Sequence, residues 1–314
     1  MAMFSSPFAF ALPSWVEALQ YIDLGVLGVF VLFGILVYLL RNVFPKVGAV
    51  AWVTAKESMF QPLFLIMILI GGFALFIFLL IPYNTLGEDI KLVINQGLEL
   101  IKLIAAFMAV WTASTTISDE IDGKTALMAL AKPLSRKNFV IGKYVGVMIA
   151  VTLIFLILGA FFLNTVSYKV VYDARESSKD VPTALECAQV VYDILPGLAL
   201  AYLETLILAA IAIAISTRLA LLPNLTIILM IYLLGHIVPI IVQSSANQLS
   251  MVVFVASLVS AILPCLDHFS MESAVAMNKT LPWAYVAWAG LYAGLYCTAA
   301  LVLSLLLFEN RDLA

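Results

Sequence analysis

Charge is what this sequence has least of. Only 11% of its 314 residues are Asp, Glu, Lys or Arg, and 64% are hydrophobic, whereas soluble domains carry about 25% charged and about 45–50% apolar residues. That balance excludes a water-soluble globule, and the mean hydropathy of +1.11 agrees. Basic excess is missing too. The formal net charge of −3 leaves no electrostatic footprint for nucleic acid. Cysteine is scarce, and Cys187, Cys265 and Cys297 have neither metal-ligand spacing nor a disulfide framework, which leaves them as small packing residues. Met1 to Gln20 holds no Lys or Arg, so the positive n-region of a secretory signal is lacking. No polar stretch reaches the roughly 100 residues of a soluble domain.

What the sequence has in abundance is charge-free length. A charge at mid-bilayer costs about 2.5–3.5 kcal/mol on insertion scales, so uncharged runs mark spans. None of the residues between Glu57 and Glu88 is charged. Phe60 to Pro82 supplies about 23 residues, enough for roughly 30 Å of hydrocarbon at 1.5 Å per residue. The other expected spans are Leu24–Leu40, Leu98–Ser118, Val140–Val166, Leu198–Thr217, Leu219–Val242 and Trp283–Phe308. The fold class is therefore an all-α integral membrane protein of about seven transmembrane helices. Ser250–Leu263 is apolar but short, and Pro264 ends it; it reads as a re-entrant or surface helix.

The Lys and Arg residues set the orientation. With the N-terminus outside, the inner segments hold Arg41, Lys46, Lys56, Lys124, Lys132, Arg136, Lys137, Lys143, Arg218 and Arg311. The outer segments hold only Lys91, Lys102, Lys169, Arg175, Lys179 and Lys279. The C-terminus is then cytoplasmic. Ser14–Asp23, with Trp15 and Tyr21, is expected as a short interfacial helix. Arg41–Gln61, bounded by Pro45 and Pro62, is expected as an amphipathic inner-surface helix with Val50, Val53 and Met59 on its apolar positions. Ser167 to Gly197, the longest polar stretch, reads as a small outer cap.

One densely charged island, Ile117 to Lys143, lies between two apolar runs. Thr116-x-x-Asp119 reads as a capping box, with Asp119 and Glu120 in a first turn that suits carboxylates. Leu127, Leu130, Ala131 and Leu134 share a helical face. Lys132 suits a helix C-terminus, Pro133 stops the helix, and Ser135 caps the next. The residues alone allow a plain interfacial turn or a helix that docks into a partner's groove.

The run Glu120-Ile-Asp-Gly-Lys-Thr, followed by Leu127, Leu130, Lys132-Pro133-Leu134-Ser135-Arg136, Phe139 and Gly142-Lys143, resembles the loop between the second and third spans of type 2 ABC transporter permeases. It is especially similar to the multi-copper enzyme maturation branch and to gliding-type exporters. Leu263-Pro264 with Asp267 and Phe269, and Phe308-x-x-Arg311-Asp312-Leu313, are further echoes. The resemblance covers roughly Ala49 to Ala314. It implies an N-terminal tail and extra transmembrane helix over 1–45 and a permease domain of about six spans over 46–314. It also implies an exporter half-transporter in the cell membrane, a bacterial inner membrane, paired with a second permease copy or paralogue. An ABC ATP-binding subunit would bind a coupling helix made by Asp119, Glu120, Gly123, Thr125, Leu127, Leu130, Lys132, Pro133 and Arg136. ATP and Mg would sit on that subunit, so this chain needs no cofactor and has no catalytic residues. Gly123-Lys124-Thr125 mimics the end of a Walker A motif, but the Gly that the pattern needs is Ser118.

Glu204 falls inside a span, and Glu99 and Lys102 lie at a similar expected depth. An ion pair between Glu204 and Lys102 holding an outer gate, a substrate contact and a proton relay all fit an intramembrane carboxylate. His236, beside Gly235 and Pro239, reads as bonded to a freed carbonyl. Asp267-His268 are too few ligands for a metal. Asn224-Leu-Thr226 matches the glycosylation pattern by chance. An intramembrane enzyme would need a motif that is absent here, and a secondary transporter would show an internal repeat. A non-transporting membrane scaffold is the remaining alternative.

Overall fold

The computed structural model describes residues 14–81, 89–122, 135–176, 180–245, 250–277 and 279–309. Ten α-helices and one 3-10 turn account for nearly all of these residues, with no strand among them. Helix α1 covers Ser14–Val43, α2 Pro45–Phe60, α3 Pro62–Leu80, α4 Asp89–Asp122 and α5 Arg136–Glu176. Helices α6 (Ala184–Ser216), α7 (Leu221–Ser245) and α8 (Ser250–Ile262) follow. The turn Leu266–Phe269, α9 (Glu272–Ala276) and α10 (Trp283–Glu309) complete the chain. Seven helices are long and apolar enough to cross a membrane, in agreement with the charge-free runs.

Burial divides the spans in two. In the most apolar windows of α4, α5 and α6, 72%, 61% and 61% of the residues are buried; for α1 the share is 6%, and for α3 and α7 it is 17%. The first three form the centre. The others present apolar side chains such as Leu32, Leu69, Leu229 and Leu295 outward, as a helix facing lipid does.

Four expectations need correction. Ser14–Asp23 is not a separate helix but the first part of α1. The stretch from Ser167 to Gly197 is mostly helix, because α5 and α6 run on past their apolar windows. At 41 residues α5 is about 60 Å long, twice the roughly 30 Å of hydrocarbon. The α6 start carries a true capping box: the Thr183 amide donates to Glu186 Oε2 at 2.8 Å, and the Glu186 amide donates to Thr183 Oγ1 at 3.3 Å. Thr116 forms no cap. Its hydroxyl donates to the Thr112 carbonyl at 2.7 Å in mid-helix, so Asp119 and Glu120 fall near the C-terminal end of α4.

The fourth correction concerns α2. Its buried face is Gly48, Ala51, Thr54, Ala55 and Ser58, whereas Val53 is exposed. Small residues let backbones approach closely. A Cβ on Gly146 would stand 2.6 Å from Thr54 Cβ and 2.7 Å from the Ala51 carbonyl, and one on Gly142 would stand 2.7 Å from Val50 Cβ. Helix α2 therefore lies on α5 through two glycines spaced four apart. Apolar periodicity does not register such a face.

Helix α8, at 13 residues, reaches only about 20 Å and is no span. The irregular backbone after it is held by phenols of α10. Tyr292 accepts from the Cys265 amide at 3.0 Å, while Tyr296 and Tyr285 donate to the Ile262 and His268 carbonyls at 2.8 and 2.7 Å. Such partners are what non-helical backbone among apolar helices requires.

Candidate functional site

The densest buried polar group joins α4, α6 and α7. Lys102 and Glu99 are one helical turn apart on α4. The Lys102 ammonium donates to Glu99 Oε1 at 2.7 Å and lies 3.3 Å from Glu204 Oε2 of α6. Lys102 is 2% exposed, Glu204 0% and Glu99 52%. The sequence therefore located this ion pair, which sits among apolar helices where a lone charge is costly.

Helix α7 closes the group, a contribution the sequence did not reveal. Tyr232 donates to Glu99 Oε2 at 3.4 Å, and its ring faces the Lys102 ammonium at 5.8 Å. One turn on, His236 Nδ1 contacts the Tyr232 carbonyl at 2.9 Å and Nε2 stands 3.5 Å from Glu204 Oε1. A carbonyl only accepts, so Nδ1 carries the proton in that contact. Nε2 then meets Glu204 either as a lone pair or, on an imidazolium, as a second donor. Neither oxygen of Glu204 has an aligned hydrogen bond among the described residues. With a neutral imidazole the four groups sum to one negative charge; with an imidazolium they are neutral. The carbonyl on Nδ1 is that of Tyr232, not the Gly235 carbonyl freed by Pro239.

A second polar tie holds the same helix nearer its start. The Asn224 amide donates to Ser114 Oγ of α4 at 2.7 Å and to the Ala212 carbonyl of α6 at 3.0 Å. Asn224 is fully buried, which fits the chance reading of its glycosylation pattern. Helix α7 buries little apolar surface, so these two ties fix its position on α4 and α6.

The charged island is described only at its edges. Gly123, Thr125, Leu127, Leu130, Lys132 and Pro133 lie outside the described residues, as do the side chains of Asp119 and Glu120. Ser135 does cap α5, accepting from the Asn138 amide at 3.3 Å. Phe139 stacks on Phe308 of α10 with ring centroids 5.6 Å apart, and the Arg136 guanidinium sits 5.9 Å from the Phe308 ring. Two stretches singled out far apart in sequence thus meet in space. At the opposite end of α5, carboxylate oxygens of Asp89, Asp173 and Glu176 lie within 4.8 Å of one another. The Lys169 ammonium lies 3.8 Å from Asp89.

Comparison with known families gives a match over most of the chain. The family described as ABC-2 family transporter protein matches residues 84–313, which include α4 to α10 and both polar ties. The match is to the family as a whole and does not select the multi-copper branch. No curated protein matches the chain significantly.

Proposed function

The chain belongs to the ABC-2 family of transporter proteins, and we propose that it is an exporter half driven by a separate ATP-binding subunit. It is a multi-pass membrane permease component of an ABC transporter, and the family's usual partner is an ATP-binding chain. In this reading, the partner binds ATP and Mg and docks on the coupling helix between Asp119 and Arg136. A second permease copy or paralogue completes the conduit. The chain sits in the cell membrane with its N-terminus outside and its C-terminus cytoplasmic. Residues 1–45 add a span to a permease unit over 46–314.

One observation carries this reading. The two helices that frame the charged island, α4 and α5, are also core helices of the bundle, and α4 carries Lys102 to the Glu204 and His236 contacts on α6 and α7. A push on the island therefore reaches a polar tie that holds a loosely packed helix. Interfaces of this kind switch between discrete arrangements rather than deforming smoothly.

The test is co-purification with the candidate ATPase. ATPase activity that rises when the subunits join, and is lost with Glu120→Lys plus Leu127→Asp in a folded chain, supports the reading. Unchanged docking by that variant would overturn the assigned contact. Docking without substrate movement in sealed vesicles would favour a non-transporting scaffold.

A further inference from the structure

Between α1 and the faces of α5 and α6 runs a half-open groove of about 770 Å³. On α1, only Ala18 and Ile22 are buried among the described side chains. The helix thus meets the bundle near its start and, through α2, near its end. Val26 also touches the core, and Phe33, Val37 and Leu40 pack toward Ala51, Ala55 and Ile149. The groove exists partly because side chains are missing. Gly25 and Gly159 both line it, and a Cβ on Gly25 would meet nothing within 4 Å, while one on Gly159 would meet only Leu198 at 4.0 Å.

The walls define the chemistry of the occupant. Val29, Leu36, Phe155 and Leu163 are typical of the lining. The central hydroxyls are already satisfied: Thr152 donates to the Met148 carbonyl at 2.6 Å and pairs with Tyr202 at 2.7 Å. Neither of these central hydroxyls is left over for a polar ligand. Apolar cavities of this kind exclude water and take hydrocarbon, and the volume falls in the range of roughly 300–1,000 Å³ typical of ligand sites. The groove extends along α1 from Tyr21 to Leu40, about 28 Å at 1.5 Å per residue, close to the hydrocarbon thickness of about 30 Å.

The ends differ in charge. Tyr21, Tyr192 and Trp283 gather at one end, as aromatic residues do at a membrane interface. Just beyond Leu40 at the other end stand Arg41 and Lys46, both exposed. Cations so placed attract anionic headgroups. We propose that the groove is a binding site for an anionic phospholipid, its acyl chains between α1 and the α5–α6 face and its phosphate beside Arg41 and Lys46. The lipid would fill the seam between α1, one of the two spans that precede the family match, and the matched core. The site is independent of the coupling role proposed above.

Native mass spectrometry of the full chain tests it. The chain is extracted in mild detergent and then offered equal phosphatidylglycerol and phosphatidylethanolamine. One phosphatidylglycerol per chain is expected to survive activation. Gly159→Phe and Gly25→Phe, each built on a Cβ that meets nothing closer than 4.0 Å, should lower that retention about ten-fold. Gly72→Phe, on α3 away from the groove and with no atom within 4 Å of its Cβ, should leave it unchanged. Arg41→Gln with Lys46→Gln should abolish the preference for phosphatidylglycerol. Equal retention by folded Gly159→Phe and Gly25→Phe, or an equal loss in Gly72→Phe, would show annular lipid only and overturn the site. So would cross-linking of Leu36→Cys in the native membrane to a partner helix that occupies the groove.

Discussion

His236 Nε2 faces Glu204 Oε1 at 3.5 Å while the other ring nitrogen is engaged by the Tyr232 carbonyl at 2.9 Å. Beside the Asn224–Ala212 bond, helix α7 is therefore tied to α6 by a contact whose strength depends on whether a donor stands opposite the carboxylate. With an imidazolium at this position, replacing His236 by Leu removes the donor opposite Glu204 Oε1, a loss of about 1–3 kcal/mol. Gln offers an amide donor of similar reach. Thermal unfolding should rank wild type, His236→Gln and His236→Leu in that order. Equal loss in the two variants would mean that shape, not hydrogen bonding, matters there.

Lys102 is the cation shared by two carboxylates. Lys102→Met should cost about 3–5 kcal/mol, because it leaves Glu204 buried without a counter-charge. Adding Glu204→Gln should recover part of that loss, with a coupling energy of about 0.5–3 kcal/mol. Strict additivity in the double-mutant cycle would refute the pair as an energetic unit.

Gly146 allows α2 to approach α5 at backbone distance. A Val there forces Thr54 and Ala51 away and should lower stability by about 1–3 kcal/mol through overpacking. Gly72→Ala meets nothing and should be neutral or stabilising by about 0.5–1 kcal/mol. The melting temperatures of the two variants check the contrast. A stable Gly146→Val chain would contradict the close α2–α5 contact.

Asn224 is the tie nearer the start of α7. Asn224→Leu removes the amide's hydrogen bonds to Ser114 Oγ and the Ala212 carbonyl, at about 0.5–1.5 kcal/mol each. It should also speed hydrogen exchange in α7 more than in α4 or α6. Uniform exchange across the three helices would mean that α7 is not independently held.

How far the sequence could be read depended on what each residue says locally. Charge is so rare that Glu204 and Lys102 stand out, and long apolar runs with few or no charges locate all seven spans. Hydropathy reports only the hydrocarbon, however, so the extensions of α5 to Glu176 and α6 back to Ala184 read as a polar cap. The Thr116-x-x-Asp119 spacing imitated a helix start because the pattern does not register that Thr112 already offers a carbonyl partner. His236 reaches Glu204 only through the rotation of α7 against α6, which tertiary packing sets and spacing does not encode.

The stack of Phe139 on Phe308 has a practical corollary. A fluorescent protein fused after Ala314 hangs only a short tether from the point where α5 leaves the charged island. Under the coupling proposed above, that fusion paired with a labelled ATP-binding subunit would be a short-range reporter of engagement, bright in energy transfer when the two chains dock and dim when they part. Under that coupling, the same proximity would put a bulky purification handle at this end in that subunit's way.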